Sequence, residues 1–206
     1  MSLSVDPRSH IFFSIMNIQI PSVWSSGWVE VICGSMFSGK TEELIRRVKR
    51  AQIAKQKTQI FKPLLDDRYS LNHVQSHSSQ KIDAQCIQNP EEILGLLEDN
   101  TRVVGIDEAQ FLPPSVIEIS QRLANRGLRV VIAGLDMDYL GVPFGPIPQL
   151  MATAEYVTKM QAICTVCGSP ASKTFRRKGV TESGQILVGA EDFYEARCRR
   201  CYVSNS

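Results

Sequence analysis

The sequence predicts an α/β fold, a mostly parallel sheet flanked by helices and followed by a small C-terminal module. Three observations carry that expectation. Short apolar runs alternate with amphipathic stretches from Gly27 onward. A glycine-bounded loop ending in Gly39-Lys40-Thr41 lies between the first such run and the first amphipathic stretch. Two Cys-x-x-Cys pairs, Cys164/Cys167 and Cys198/Cys201, bracket the C-terminal part.

Taken in order, Trp28 to Cys33 reads as a strand, and Thr41 to Lys55 as a helix that turns Leu44, Ile45, Val48 and Ala51 to one face. Thr58 to Phe61 restarts strand character, and Pro63 to Gln80 reads as a polar, turn-rich loop carrying His73 and His77. Asn89-Pro90-Glu91-Glu92 offers a capping residue, an N-terminal proline and an acidic first turn for a helix through Ile93, Leu94 and Leu97. Arg102 to Ile106 is a buried strand delivering Asp107, Pro114 opens a helix with Val116, Ile119 and Leu123 inward, and Leu128 to Ala133 is another buried strand. Gly141 to Pro148 is too rich in Gly and Pro for a regular element and reads as a shaped loop. A boundary near residue 160 divides a nucleotide-binding domain, 27–160, from a cysteine-bounded domain, 161–206. Residues 1–26 read as an extension outside the folded unit, because the short apolar run after Arg8 lacks the length and cleavage site of an export signal.

Composition narrows the function. At 206 residues there is room for one substantial core and an appendage. No apolar stretch approaches the roughly 20 residues of a membrane helix, and a net charge of +2 does not mark a general nucleic-acid-binding surface. Of the six cysteines, Cys33 and Cys86 sit in apolar runs and read as reduced core residues. The other four have metal spacing, which with the missing export signal points to a cytoplasmic protein and a structural zinc site rather than to disulfides.

Gly34-Ser35-Met36-Phe37-Ser38-Gly39-Lys40-Thr41 fits the phosphate-binding P-loop pattern in its required setting, between strand and helix. Its glycines let backbone N–H groups wrap phosphate oxygens at a helix N-terminus, with Lys40 on the β- and γ-phosphates and Thr41 on Mg²⁺. Asp107, at the end of an apolar strand, is placed to be the metal-associated carboxylate. Alternation along extended chain would turn Glu108 the other way, toward a substrate hydroxyl, as general base.

The combined pattern resembles the type II thymidine kinases from about Gly27 to about Val203. It is carried by the phosphate loop, Asp66-Asp67-Arg68-Tyr69, Asp107 to Phe111, Ala133 to Asp136, Pro143-Phe144-Gly145, and Gly189-Ala190 through Tyr194. The resemblance implies a RecA-like P-loop core with a zinc-binding lasso domain, and transfer of the γ-phosphoryl of ATP to the 5′-hydroxyl of thymidine or deoxyuridine in pyrimidine deoxynucleotide salvage. It implies roles for Lys40, Thr41, Asp107 and Glu108 as above, for Arg68 on phosphate charge, and for Asp66 on the deoxyribose 3′-hydroxyl. Met36, Phe111, Leu135, Tyr139, Thr174 and Tyr194 correspond to the base pocket, with Val188 and Gly189 on the lasso that closes over the pyrimidine. It also implies a homotetramer and inhibition by deoxythymidine triphosphate; charge and hydropathy, as above, speak for neither nucleic acid nor membrane as partner.

Two other classes compete. Asp107-Glu108-Ala109-Gln110 also resembles the second nucleotide motif of some helicases, but the chain is too short for two motor lobes. Arg176, Arg177, Lys178, Arg197, Arg199 and Arg200 form a basic cluster that a zinc-ribbon binding module would use, without the interleaved aromatic platform of a single-strand binder.

Overall fold

The computed structural model describes residues 27–64, 73–75, 81–177 and 193–202. The central sheet has six strands in the order β5-β2-β6-β7-β1-β8, every neighbouring pair parallel. They are β1 (Trp28–Gly34), β2 (Lys57–Pro63), β5 (Gln85–Ile87), β6 (Thr101–Ile106), β7 (Arg129–Leu135) and β8 (Tyr156–Met160). Parallel strands buried on both faces need apolar residues on both, and β1 obeys. Val29, Val31 and Cys33 enter one core with α3 (Val116–Asn125) and α4 (Ile147–Thr153), while Ile32 enters the other beneath α1 (Lys40–Ile53). The helical face read from the sequence is the buried face of α1: Leu44, Ile45, Val48 and Ala51.

Below α1 an ionic lattice ties helix to sheet. The buried Glu30 carboxylate accepts from Arg47 at 2.7 Å, from Arg129 at 2.6 Å and from the Trp28 indole N–H at 2.7 Å. Burial works against its charge, but Arg129, Trp28 and Arg47 prevail and hold its pKa below the ordinary value.

Several expectations need correction. The stretch from Pro63 to Gln80 is not loop throughout, because β3 (His73–Gln75) pairs antiparallel with β4 (Lys81–Asp83). The short edge strand β5 follows, so Cys86 is half-buried at an edge rather than a core residue. Helix α2 spans Glu92–Leu96 and begins later than Asn89 suggests. Its start is closed by the Glu92 carboxylate, which accepts from the backbone N–H groups of Gln88 and Asn89 at 3.1 and 2.8 Å. Ile147 and Pro148 belong to α4, not to the preceding loop. Proline is tolerated in a first helical turn because the N–H it lacks has no partner there. The edge strand β8 carries no strand signal in the sequence; its Tyr156 and Val157 are exposed, so it lacks the apolar run that marks the interior strands.

The C-terminal module is built from short ladders. β9 (Ala162–Ile163) pairs with β10 (Pro170–Ala171), and β11 (Lys173–Arg176) with β12 (Tyr194–Arg197), all antiparallel. No helix among the described residues is long and apolar enough to cross a membrane.

Candidate active site

In a parallel sheet the carboxyl ends of the strands share one rim, where loops can build a site. Here that rim gathers the loop after β1, Asp107 and Glu108 after β6, and Leu135 and Asp136 at and just beyond the end of β7. The strand carrying the lysine loop and the strand carrying the carboxylates are not neighbours; β7 lies between them.

The Gly34–Thr41 loop folds back over its own start. The Ser38 hydroxyl and the Lys40 ammonium both donate to the Ser35 carbonyl, each at 2.8 Å. Gly34 has φ 146°, and a Cβ there would stand 2.4 Å from the Met160 carbonyl oxygen of β8. Gly39 caps α1 with φ 82°, and Phe37 also adopts positive φ, at 62°. Lys40 is buried, which lowers its pKa, while Glu108, Asp107 and Asp136 oppose that shift.

The Thr41 hydroxyl donates to the Asp107 carboxylate at 3.1 Å. Asp107 is itself buried, and its pKa is raised to about 7, first by desolvation and then by the neighbouring Glu108 charge. A buried carboxylate with a threonine hydroxyl against it, below a phosphate-type loop, is a donor set of hard oxygens suited to Mg²⁺.

Glu108 departs from the alternation expected of it. The strand ends at Ile106, and Glu108 takes φ 51°, a left-handed conformation, at the head of a 3₁₀ turn over Ala109–Phe111. A backbone reversal, not strand alternation, separates its direction from that of Asp107. Its carboxylate accepts from the side-chain amide of Gln110, whose carbonyl oxygen accepts from Leu135 N–H at 3.0 Å. Gln110 is buried and so joins the β6 end to the β7 end. Met36, Lys40, Thr41, Glu108 and Leu135 line one cavity of about 70 Å³.

The remaining base-pocket candidates lie around this rim. Phe111 meets Phe144 edge-to-face at 5.5 Å, and the Tyr139 and Tyr194 rings stand 6.4 Å apart. The Thr174 hydroxyl accepts from Met36 N–H at 3.1 Å. Asp66, Arg68, Val188 and Gly189 lie outside the described residues.

The four cysteines converge from two distant segments. Their sulfur atoms all lie within 4.8 Å of one another, with Cys167 and Cys198 at 3.6 Å. Tetrahedral sulfurs around zinc with ~2.3 Å bonds stand about 3.8 Å apart, so the four thiols are gathered closely enough to hold that ion after small side-chain shifts. Each pair sits in a tight turn: Gly168 N–H donates to Cys164 O at 2.9 Å, and Cys201 N–H to Cys198 O at 3.1 Å. The module also touches the phosphate loop. Phe37 packs on the cluster formed by Ala162, Cys164, Ala171, Ala196 and Cys198, and the Ser35 hydroxyl donates to Ala171 O at 3.3 Å.

Part of the basic cluster is committed internally. Arg197 pairs with Glu195 and lies 3.3 Å from the Phe175 ring centre, Arg177 approaches Glu195 at 3.7 Å, and Arg176 covers Tyr139 at 5.2 Å. The sequence reading did not single out Gln110, Asp138 or Tyr202. Gln110 lies within the Asp107–Phe111 motif, which is the signal that marks it; nothing local marks the other two.

A lysine-bearing loop facing two carboxylates on the rim of a parallel sheet suits the handling of phosphate groups, which puts the fold and site in the class of phosphate-transferring enzymes, kinases among them. Comparison with known proteins supports that class. A family model described as thymidine kinase matches residues 27–202. The chain is 57% identical over 178 residues to a thymidine kinase of Bdellovibrio bacteriovorus, covering 86% of each protein. It is 55% identical over 178 residues to a thymidine kinase of a Rhodothermus species, covering 86% of this chain and 82% of that one. The chain belongs to the thymidine kinase family.

Proposed function

We propose that this protein transfers the γ-phosphoryl group of ATP to the 5′-hydroxyl of thymidine, and of deoxyuridine, yielding the 5′-monophosphate and ADP for pyrimidine deoxynucleotide salvage. The observation that carries the reading is the convergence of Lys40, Thr41 and Glu108 with Met36 and Leu135 on one cavity. Phosphate-binding, proton-accepting and apolar groups meet there within reach of one reacting centre.

In this reading the N–H groups of residues 34–41 and the start of α1 hold the triphosphate. Lys40 exchanges its bond to the Ser35 carbonyl for phosphate oxygens. Thr41 and Asp107 would hold Mg²⁺, which would supply positive charge against the phosphates. Glu108 accepts the proton of the 5′-hydroxyl as its oxygen bonds the γ-phosphorus and the bridging bond to the β-phosphate breaks, the electron pair leaving with ADP. Arg68 steadies phosphate charge and Asp66 holds the 3′-hydroxyl. Met36, Phe111, Leu135, Tyr139, Thr174 and Tyr194 surround the base, with Val188 and Gly189 closing over it. Cys164, Cys167, Cys198 and Cys201 would hold zinc, whose bonds would join the two ends of that segment and so reduce the ordering cost on binding.

The same reading extends to a cytoplasmic homotetramer inhibited by deoxythymidine triphosphate, with 27–160 as catalytic domain and 161–206 as zinc domain. Purified protein with Mg-ATP and a panel of deoxynucleosides tests it. Thymidine and deoxyuridine monophosphates should form mole for mole with ADP. ATP hydrolysis without any monophosphate would overturn the assignment.

A further inference from the structure

Tyr202 follows the last cysteine by one residue, yet its side chain reaches the segment between β7 and α4. Its backbone N–H donates to the Cys198 carbonyl at 2.9 Å, so its main chain is part of the Cys198–Cys201 turn. Its phenol donates to the Tyr139 carbonyl at 2.7 Å. The ring between these two bonds is held edge-on against Phe175 at 6.3 Å and lies beneath the Lys173 ammonium at 5.6 Å.

The segment it reaches has little regular structure to shape it. Between β7 and α4 the chain makes a single bridge, Met137 to Pro143, and a turn closed by Gly141 N–H on the Asp138 carbonyl. From inside the turn, the buried Asp138 carboxylate accepts from Leu140 and Val142 N–H groups, both at 2.9 Å. Those bonds fix the residues after Tyr139 but leave its own carbonyl free for an outside donor. The Tyr202 phenol is that donor. Tyr139 in turn presents its ring toward Tyr194.

We infer that Tyr202 is a positioning residue for nucleoside binding, through which the four-cysteine site sets the place of the Tyr139 ring. The inference rests on the proposed function, since it takes Tyr139 as a wall of the base pocket. The hydrogen bond that the phenol supplies ends on Tyr139, on the nucleoside side of the proposed site, so its loss falls on the nucleoside rather than on ATP.

The test is steady-state kinetics of the zinc-loaded wild type and Tyr202→Phe, with each substrate varied in turn. The variant keeps the ring, its packing and the metal site, and loses one hydroxyl. Loss of one neutral hydrogen bond corresponds to a rise of about fivefold in the KM for thymidine, with kcat and the KM for ATP within twofold of wild type. A thymidine KM within twofold of wild type would overturn the inference, as would parallel increases in both KM values or an effect confined to kcat. Failure of the wild type to phosphorylate any pyrimidine deoxynucleoside would instead remove the functional reading beneath it, so the two failures are distinguishable.

Discussion

The backbone N–H of Met36 donates to the Thr174 hydroxyl at 3.1 Å, so the phosphate loop and the cysteine-bounded module share a hydrogen bond between residues 138 positions apart. Replacing Thr174 with Val keeps the shape and removes the acceptor. Because Thr174 is buried, the Met36 N–H is left without that partner. The expected result is a rise of roughly fivefold or more in the KM for thymidine, with a smaller rise for ATP, measured by initial rates.

Lys40 and Glu108 should separate by kinetic signature. Lys40→Ala removes a cation aimed at the transferred group and should lower kcat by about 10²–10³ while weakening ATP. Glu108→Gln preserves size and should lower kcat by about 10²–10⁴ with thymidine and ATP affinity retained. Isothermal titration beside turnover assays makes the comparison, and normal turnover in Glu108→Gln would reject its role as base.

Gly34 is constrained twice, by φ 146° and by the Met160 carbonyl 2.4 Å from where a Cβ would stand. Gly34→Ala should destabilise the protein by at least about 2 kcal/mol and move β8 away from the loop. Urea denaturation measures this, and an unchanged midpoint would show that the rim yields more easily than its packing implies.

Removing zinc should act at a distance. Cys198→Ser, or treatment with a strong chelator, should lower the metal content and the melting temperature, and raise the KM for thymidine more than that for ATP. Metal analysis with paired KM measurements decides it, and equal effects on both substrates would argue against a tethered closing segment.

Acid stability should follow Glu43, whose carboxylate is bound by Arg46 at 2.6 Å and Arg47 at 2.8 Å. Those bonds, Arg46 first, bring its pKa from 4.5 down to about 2. A folded pKa below the unfolded one means that the stabilisation is complete above pH 4.5 and disappears as pH falls toward 2. Glu43→Gln should therefore flatten the loss of stability across that window and cost stability at neutral pH, as followed by denaturation at a series of pH values.

The elements legible in the sequence were those whose signal is local and repeated. α1 shows its buried face through Leu44, Ile45, Val48 and Ala51, and the interior strands show theirs as continuous apolar runs. β8 escaped because exposed Tyr156 and Val157 break that pattern, and α4 because Pro146 and Pro148 look like loop until they are seen in a first helical turn. The hairpin of β3 and β4 escaped because its strands are three residues each and lie in polar sequence.

By itself the sequence determined the chemistry available: a glycine-lysine loop, two adjacent carboxylates and four cysteines, each recognisable because spacing along the chain dictates what such groups can bind. Tertiary structure alone decided how they meet. The left-handed turn at Glu108, the Gln110 amide joining it to Leu135, and the reach of Tyr202 from the Cys201 turn to Tyr139 depend on contacts between segments remote in sequence. No local pattern encodes such contacts, because each partner's position is set by the packing of the whole sheet and module.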